Sequence, residues 1–126
     1  PGVRLISVQK DDSGHDRAGL AAMGIETPDR ELDAGEEAFV DTAAVIAACD
    51  LVITLDSAVA HLAGALARPV WIALSRHGEW RWLENRADSP WYPTARLWRQ
   101  TTLDDWAPVF EAMRAELEFR RPALER

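Results

Sequence analysis

Two short apolar runs, Leu51-Val52-Ile53-Thr54-Leu55 and Val70-Trp71-Ile72-Ala73-Leu74, constrain this chain more than any other feature. Neither alternates apolar with polar residues, so each suits a strand buried on both faces. Between them Ala58–Leu66 has helical composition, with Val59, Leu62, Ala63 and Leu66 on one stripe and Pro69 as its stop. A buried strand, a helix and a second buried strand in that order imply a parallel crossover.

The flanks extend the alternation. Val3–Val8 reads as a first strand, Gln9–Gly14 as a polar turn, and Asp16–Met23 as a helix with Gly24 past its end. Ile25–Leu32 has room for a short strand. Asp41-Thr42 can cap a helix over Ala43–Cys49. Residues 75–94 form a long connection rich in Arg, Trp and Pro, with one helical turn at Trp80–Glu84. Ala95–Arg99 is the last strand. Asp104–Phe119 is an amphipathic helix with Trp106, Val109, Phe110, Met113 and Leu117 at core spacing. The expected fold is α/β: a three-layer Rossmann-like domain with a mostly parallel sheet of about five strands. Sheets of this kind bind ligands at the carboxyl ends of their strands.

At 126 residues the chain has the length of one domain, residues 1–126. It begins at Pro1 without an initiator Met, as a fragment of a longer protein would. The charge is lopsided: residues 1–50 carry 11 acidic and 4 basic side chains, residues 51–126 carry 10 of each. Net acidity argues against nucleic-acid binding, and no apolar stretch is long enough for a membrane span. Cys49 is the only cysteine and no signal peptide is visible, which favours a cytoplasmic setting. One Cys and the scattered His15, His61 and His77 do not suggest a metal site.

Three places invite chemistry. In Asp56-Ser57-Ala58-Val59-Ala60-His61 a buried strand ends in a carboxylate and a hydroxyl, and a helix begins at once. Free N–H groups and the helix dipole favour an anion there. Ser57 can donate to a phosphate, Ala58 permits close approach, and His61 shares Ser57's side of the helix. On spacing alone the same residues also make a plain N-cap and a core histidine. Gln9-Lys10 follows the first strand, and Lys10 is the only lysine beside 13 arginines. It can face the same crevice or be a solvated loop residue. The connection holds Arg76, His77, Trp80 and Trp91, and five of the six tryptophans fall between residues 80 and 106. Such residues can stack on a base or sugar, or make an interdomain surface. They also suit a Pro-braced wrap over a small domain. Neither the glycine fingerprint of dinucleotide-binding folds nor a P-loop is present, and no activated nucleophile is visible.

Several segments, taken together, resemble the C-terminal half of glycosyltransferase family 9, the heptosyltransferase-like enzymes. They are Asp41–Ile46, Asp50–Ile53, Asp56–Leu66, Arg68–Trp71, Trp80-Arg81-Trp82, Ser89-Pro90-Trp91-Tyr92-Pro93 and Arg96–Gln100. The nearest likeness is to the set found behind tetratricopeptide repeats in bacterial proteins. The likeness is strong over about residues 39–110 and weak over 3–10. It implies the C-terminal, donor-binding half of a two-domain GT-B glycosyltransferase, with a nucleotide-diphospho-sugar as substrate and no cofactor. The missing N-terminal domain would bind the acceptor and supply the catalytic base for an inverting transfer, so the chain alone is expected to transfer little or nothing. By position, Asp56, Ser57, Ala58 and His61 match the family's donor-phosphate segment, and Gln9-Lys10 resembles the stretch whose basic side chain meets the diphosphate. Ala58 departs from the family's usual Gly, and Ser75–Glu79 has no family match. Two other readings compete. One is a non-catalytic Rossmann-like module that binds a partner through its Trp-rich face. The other is a flavodoxin-like or receiver-like domain, disfavoured because a receiver needs a lysine after its phosphoacceptor and none follows Asp56.

Overall fold

The computed structural model describes residues 2–10, 15–29 and 31–124. The polar turn expected at Asp11–Gly14 lies outside them. The chain forms two compact units, Pro1–Val45 and Ile46–Arg126.

The first unit is a small parallel crossover. Strand β1 (Leu5–Ile6) pairs with β2 (Ile25–Glu26) in the register Leu5↔Ile25 and Ile6↔Glu26, and helix α1 (His15–Ala22) lies between them in sequence. The expected strand Val3–Val8 shrinks to these two residues, because its partner offers only two. Gly24, at φ 73°, turns the chain out of α1, a left-handed position that glycine occupies without cost. Outside the ladder, Arg4 clasps Glu26 with two bonds, Nε to Oε1 at 2.9 Å and Nη2 to Oε2 at 2.7 Å. Helix α2 (Val40–Ala48) then carries the chain across the boundary between the units.

Helix α2 starts before the expected Ala43, so Asp41 and Thr42 sit inside its first turn instead of capping it. The cap comes from Asp33. Its Oδ1 accepts from the N–H of Asp41 (2.9 Å) and of Thr42 (3.3 Å), and its Oδ2 accepts from the Thr42 hydroxyl at 2.6 Å. In return, Asp41 Oδ2 accepts from the Asp33 N–H. The Thr42 hydroxyl and these N–H groups hold the Asp33 carboxyl below the usual carboxylate range. Asp33 stands at φ 55°, a conformation Asp adopts more readily than most residues.

The second unit holds the larger core. Strands β3 (Val52–Leu55), β4 (Val70–Leu74) and β5 (Ala95–Arg99) form a sheet in that order, with both pairings parallel. All five residues of β4 are buried, as its unbroken apolar run predicts. Its pleat divides them between two layers. Val70, Ile72 and Leu74 pack with Ile46, Val52, Leu97, Trp82 and the small residues Ala60 and Ala63 of α3 (Ala58–Ala65). Trp71 and Ala73 pack with Val109 and Met113 of α4 (Ala107–Leu124). The result is helix, sheet, helix: three layers in the Rossmann-like manner.

Some details differ from expectation. The α3 stripe buries Ala60, Ala63 and Gly64, while Leu66 is exposed. Helix α4 begins at Ala107 instead of Asp104, because Asp104 takes φ 61° and cannot start a right-handed helix. Phe110 is exposed as well; Val109 and Met113 carry that face. An ion-paired latch adds to the α4 layer. Glu116 Oε1 accepts from Arg120 at 2.6 Å and from Arg96 at 2.8 Å, and these two cations hold its carboxyl below the usual range. In the connection, Trp80–Trp82 forms one 3-10 turn, and Trp82 is fully buried. Among the described residues no helix is long and apolar enough to cross a membrane.

Candidate functional site

Because β3, β4 and β5 run parallel, their carboxyl ends lie side by side. Three segments leave that edge: Asp56-Ser57 after β3, Ser75-Arg76 after β4 and Gln100-Thr101 after β5. Ser57 is the N-cap of α3 by position, with extended backbone at φ −153° and ψ 172°, yet its side chain caps nothing. The Ser57 hydroxyl instead meets the Thr54 hydroxyl at 3.0 Å. The Ala60 N–H bonds the Ser57 carbonyl at 3.0 Å, but no first-turn N–H of α3 takes an acceptor from the Ser57 side chain, which is the opposite of an ordinary serine cap. Asp56, Ser57 and Ala58 are all exposed, so the junction is open to a ligand.

His61 stands one turn into α3, on the side of Ser57. It is half-buried, and its Nδ1 lies 3.0 Å from the Tyr92 hydroxyl. The imidazole stacks on Trp82 with centroids 5.1 Å apart and planes 21° from parallel. Tyr92 meets it edge-on at 5.7 Å. Among the described residues nothing bonds Nε2.

The other segments of the edge are braced. Arg76 donates its backbone N–H to Gln100 Oε1 at 3.3 Å and its Nη1 to the Thr101 carbonyl at 2.9 Å. The Ser75 hydroxyl donates to the His77 carbonyl at 3.2 Å, while the His77 side chain is exposed. Arg99, the last residue of β5, donates to the carbonyls of Trp82 and Leu83, and its guanidinium fills the space a Cβ on Gly78 would need. Partial burial presses the Arg99 pKa down, although a guanidinium stays charged. Trp80 and Trp91 are 70% and 60% exposed, and the Trp91 Nε1 donates to the Arg81 carbonyl at 3.0 Å. The Arg81 guanidinium lies 5.1 Å from the centroid of the Trp80 ring.

The expected residues thus fall in three groups. Asp56, Ser57, Ala58 and His61 share the junction of β3 and α3. Arg76 and His77 follow the neighbouring strand; in the same connection Trp80 and Trp91 each contact Arg81, Trp80 at its guanidinium and Trp91 at its carbonyl. Gln9 and Lys10 stand in the first unit, both exposed, after β1. There the Gln9 N–H bonds the Ser7 hydroxyl at 3.3 Å, and the Lys10 Nζ lies 3.8 Å from Glu31.

Sequence reasoning missed Tyr92, Trp82 and Thr54 as neighbours of this junction. Tyr92 is 31 residues from His61, too far for any spacing rule. The available signal was the Pro-braced Ser89–Pro93 segment, whose Ser89 hydroxyl accepts from the N–H groups of Trp91 and Tyr92 and so shapes the turn. Among the described residues no group of three or more His, Cys, Asp and Glu side chains is assembled for a metal.

Neither a curated protein nor a solved structure matches the chain significantly. A family model does match, over residues 2–103, and it is described as glycosyltransferase family 9 (heptosyltransferase). That span covers both units up to the loop before α4 and includes the open junction of Asp56, Ser57 and His61; the chain belongs to glycosyltransferase family 9.

Proposed function

We propose that this chain is the donor-binding half of a two-domain sugar transferase and that it holds the diphosphate of a nucleotide-sugar at the β3–α3 junction. The observation that carries the reading is Ser57: an N-cap serine whose hydroxyl turns to Thr54 and leaves the N–H groups of Ala58 and Val59 to another acceptor. A diphosphate supplies that acceptor, and the helix dipole favours its charge. Ser57 and His61 would add side-chain donors, and Ala58 is small enough for a phosphate to approach the backbone.

In an inverting transfer the sugar–phosphate bond breaks as the acceptor oxygen attacks from the opposite face. The leaving diphosphate gains charge in that step. Donors fixed before the reaction stabilise it without reorganising. Removing the acceptor's proton falls to a base on an N-terminal acceptor domain, and tetratricopeptide repeats fit as a further neighbour. The family resemblance also carries Gln9 and Lys10 to the diphosphate.

A titration with ADP, UDP, GDP and their sugar conjugates, followed by tryptophan fluorescence and calorimetry, tests the reading. Saturable binding of one nucleoside diphosphate is expected, weakened about tenfold by Ser57→Ala if one charge-assisted hydrogen bond is lost. Lys10→Ala in the same series tests the second assignment. The exposed Trp80 and Trp91 favour a second reading, a partner-binding module without catalysis. Absence of nucleotide binding, in this chain and in the full-length protein alike, would decide for it.

A further inference from the structure

The setting of His61 is more specific than phosphate binding requires. Two residues of the β4–β5 connection hold its ring, and a third, on α3 itself, makes room for one of them. Trp82, fully buried, supports one face. Tyr92 bonds Nδ1. Gly64, one turn further along α3, makes room for Tyr92: a Cβ there would lie 2.4 Å from the Tyr92 ring. Tyr92 is itself fixed on both sides, since its N–H bonds the Ser89 hydroxyl and its carbonyl accepts from Ala95 N–H at 3.0 Å.

The chemistry of this contact selects one proton arrangement. A neutral imidazole has one N–H and one bare nitrogen. Among the described residues Nδ1 is the only hydrogen-bond partner of the Tyr92 hydroxyl. If the phenol donates to Nδ1, its proton has an acceptor and the imidazole proton resides on Nε2. If Nδ1 keeps the proton, the phenolic proton is left over and Nε2 is a bare acceptor. A phosphate oxygen only accepts, so a bare Nε2 would repel it and Nε2–H would bind it.

We infer that Tyr92 is a positioning residue that holds His61 in the Nε2–H form, so that the imidazole meets an anionic ligand as a hydrogen-bond donor. This rests on the donor-site reading for the identity of the anion, but not for the proton arrangement itself. Trp82 and Gly64 serve the same end by fixing the ring plane and admitting the tyrosine.

Nitrogen NMR of the histidine side chains tests the inference at about pH 8, where an ordinary imidazole is neutral. The probe set is the unaltered protein, Tyr92→Phe, which keeps the ring against Gly64 and Trp82, and His61→Gln to assign the signal. The Nε2–H form is expected in the unaltered protein and a mixture of both forms in Tyr92→Phe. The affinity for the nucleoside diphosphate that binds should fall about three- to tenfold in Tyr92→Phe. Finding His61 in the Nδ1–H form, or the same form in both proteins, would overturn the inference. A changed form with unchanged affinity would overturn its consequence for binding. If the form changes as expected while the unaltered protein binds no nucleotide, the hold of Tyr92 on His61 stands and the donor-site reading falls.

Discussion

In the first unit the paired strands are two residues long, and both residues of β1 are exposed. In the second, the central strand runs five residues and all five are buried. Each unit is a parallel crossover, yet they are held differently. Around β1 and β2 the prominent contacts are polar: the Arg4–Glu26 clasp and, further along, the Asp33 cap of α2. Around β4 they are apolar, with Ile72, Leu74 and Trp82 out of water on one face and Trp71 on the other. Parallel topology alone therefore does not dictate a large apolar core. Surface ion pairs contribute little each, so the first unit should respond to pH and the second to lost volume.

The largest expected effect is at Trp82. Replacing a fully buried indole with alanine typically costs about 3–5 kcal/mol. Trp82→Ala should move the urea midpoint accordingly and strip hydrogen-exchange protection from β3–β5. An unchanged midpoint would remove the apolar core from the explanation of the second unit. Gly64→Ala comes next, at about 1–3 kcal/mol, the usual cost of overpacking. The added methyl would meet the Tyr92 ring at 2.4 Å, against a residue tethered at its backbone. Combining it with Tyr92→Leu should recover part of the loss, and strict additivity in that double-mutant cycle would argue against the contact.

Asp33 gives the smallest effect and the sharpest contrast. Its pKa is lowered in the folded state, chiefly by the hydrogen bond from the Thr42 hydroxyl. The stabilisation is thus present above its unfolded pKa and fades as pH falls through the folded one. Protection of the Thr42 amide should drop on acidification below about pH 4. Asp33→Asn, which tolerates the same positive φ, should weaken that protection at neutral pH and flatten its dependence on acid. A response equal to the unaltered protein's would refute the charged cap.

The legible parts of the fold were those whose cause is local. The run at 70–74 is a buried strand because nothing in it tolerates water, and Pro69 lies between helix and strand where a stop is needed. The run at 51–55, expected to be buried on both faces, forms a strand at the end of the sheet order that leaves Ile53 and Leu55 exposed. The junction at Asp56-Ser57 followed from a strand end and a helix start. Non-local causes were invisible. Asp33 caps a helix whose first turn contains Asp41 and Thr42, the very residues that local rules choose as its cap. Trp82 sits among Arg, Glu and Trp in a segment of surface composition, yet it is the largest fully buried side chain among the described residues. Its burial follows from the gap that the small residues Ala60 and Ala63 leave beside the sheet. Small residues on a helix stripe advertise a bulky neighbour without saying where in the chain it comes from.

The connection between β4 and β5 is anchored twice. Its first half ends in Trp82, sunk in the core, with the Arg99 guanidinium on the carbonyls of Trp82 and Leu83. Its second half begins at Ala87, whose carbonyl accepts from Leu97 N–H at 2.7 Å. Between these anchors Glu84 and Asn85 are exposed. Covalent continuity there does little for the fold. A protease nick between them should leave two fragments that still hold each other, and a short inserted peptide should be carried outward without disturbing either anchor. The same spot is thus where the chain can be split into complementing halves or opened to receive a reporter.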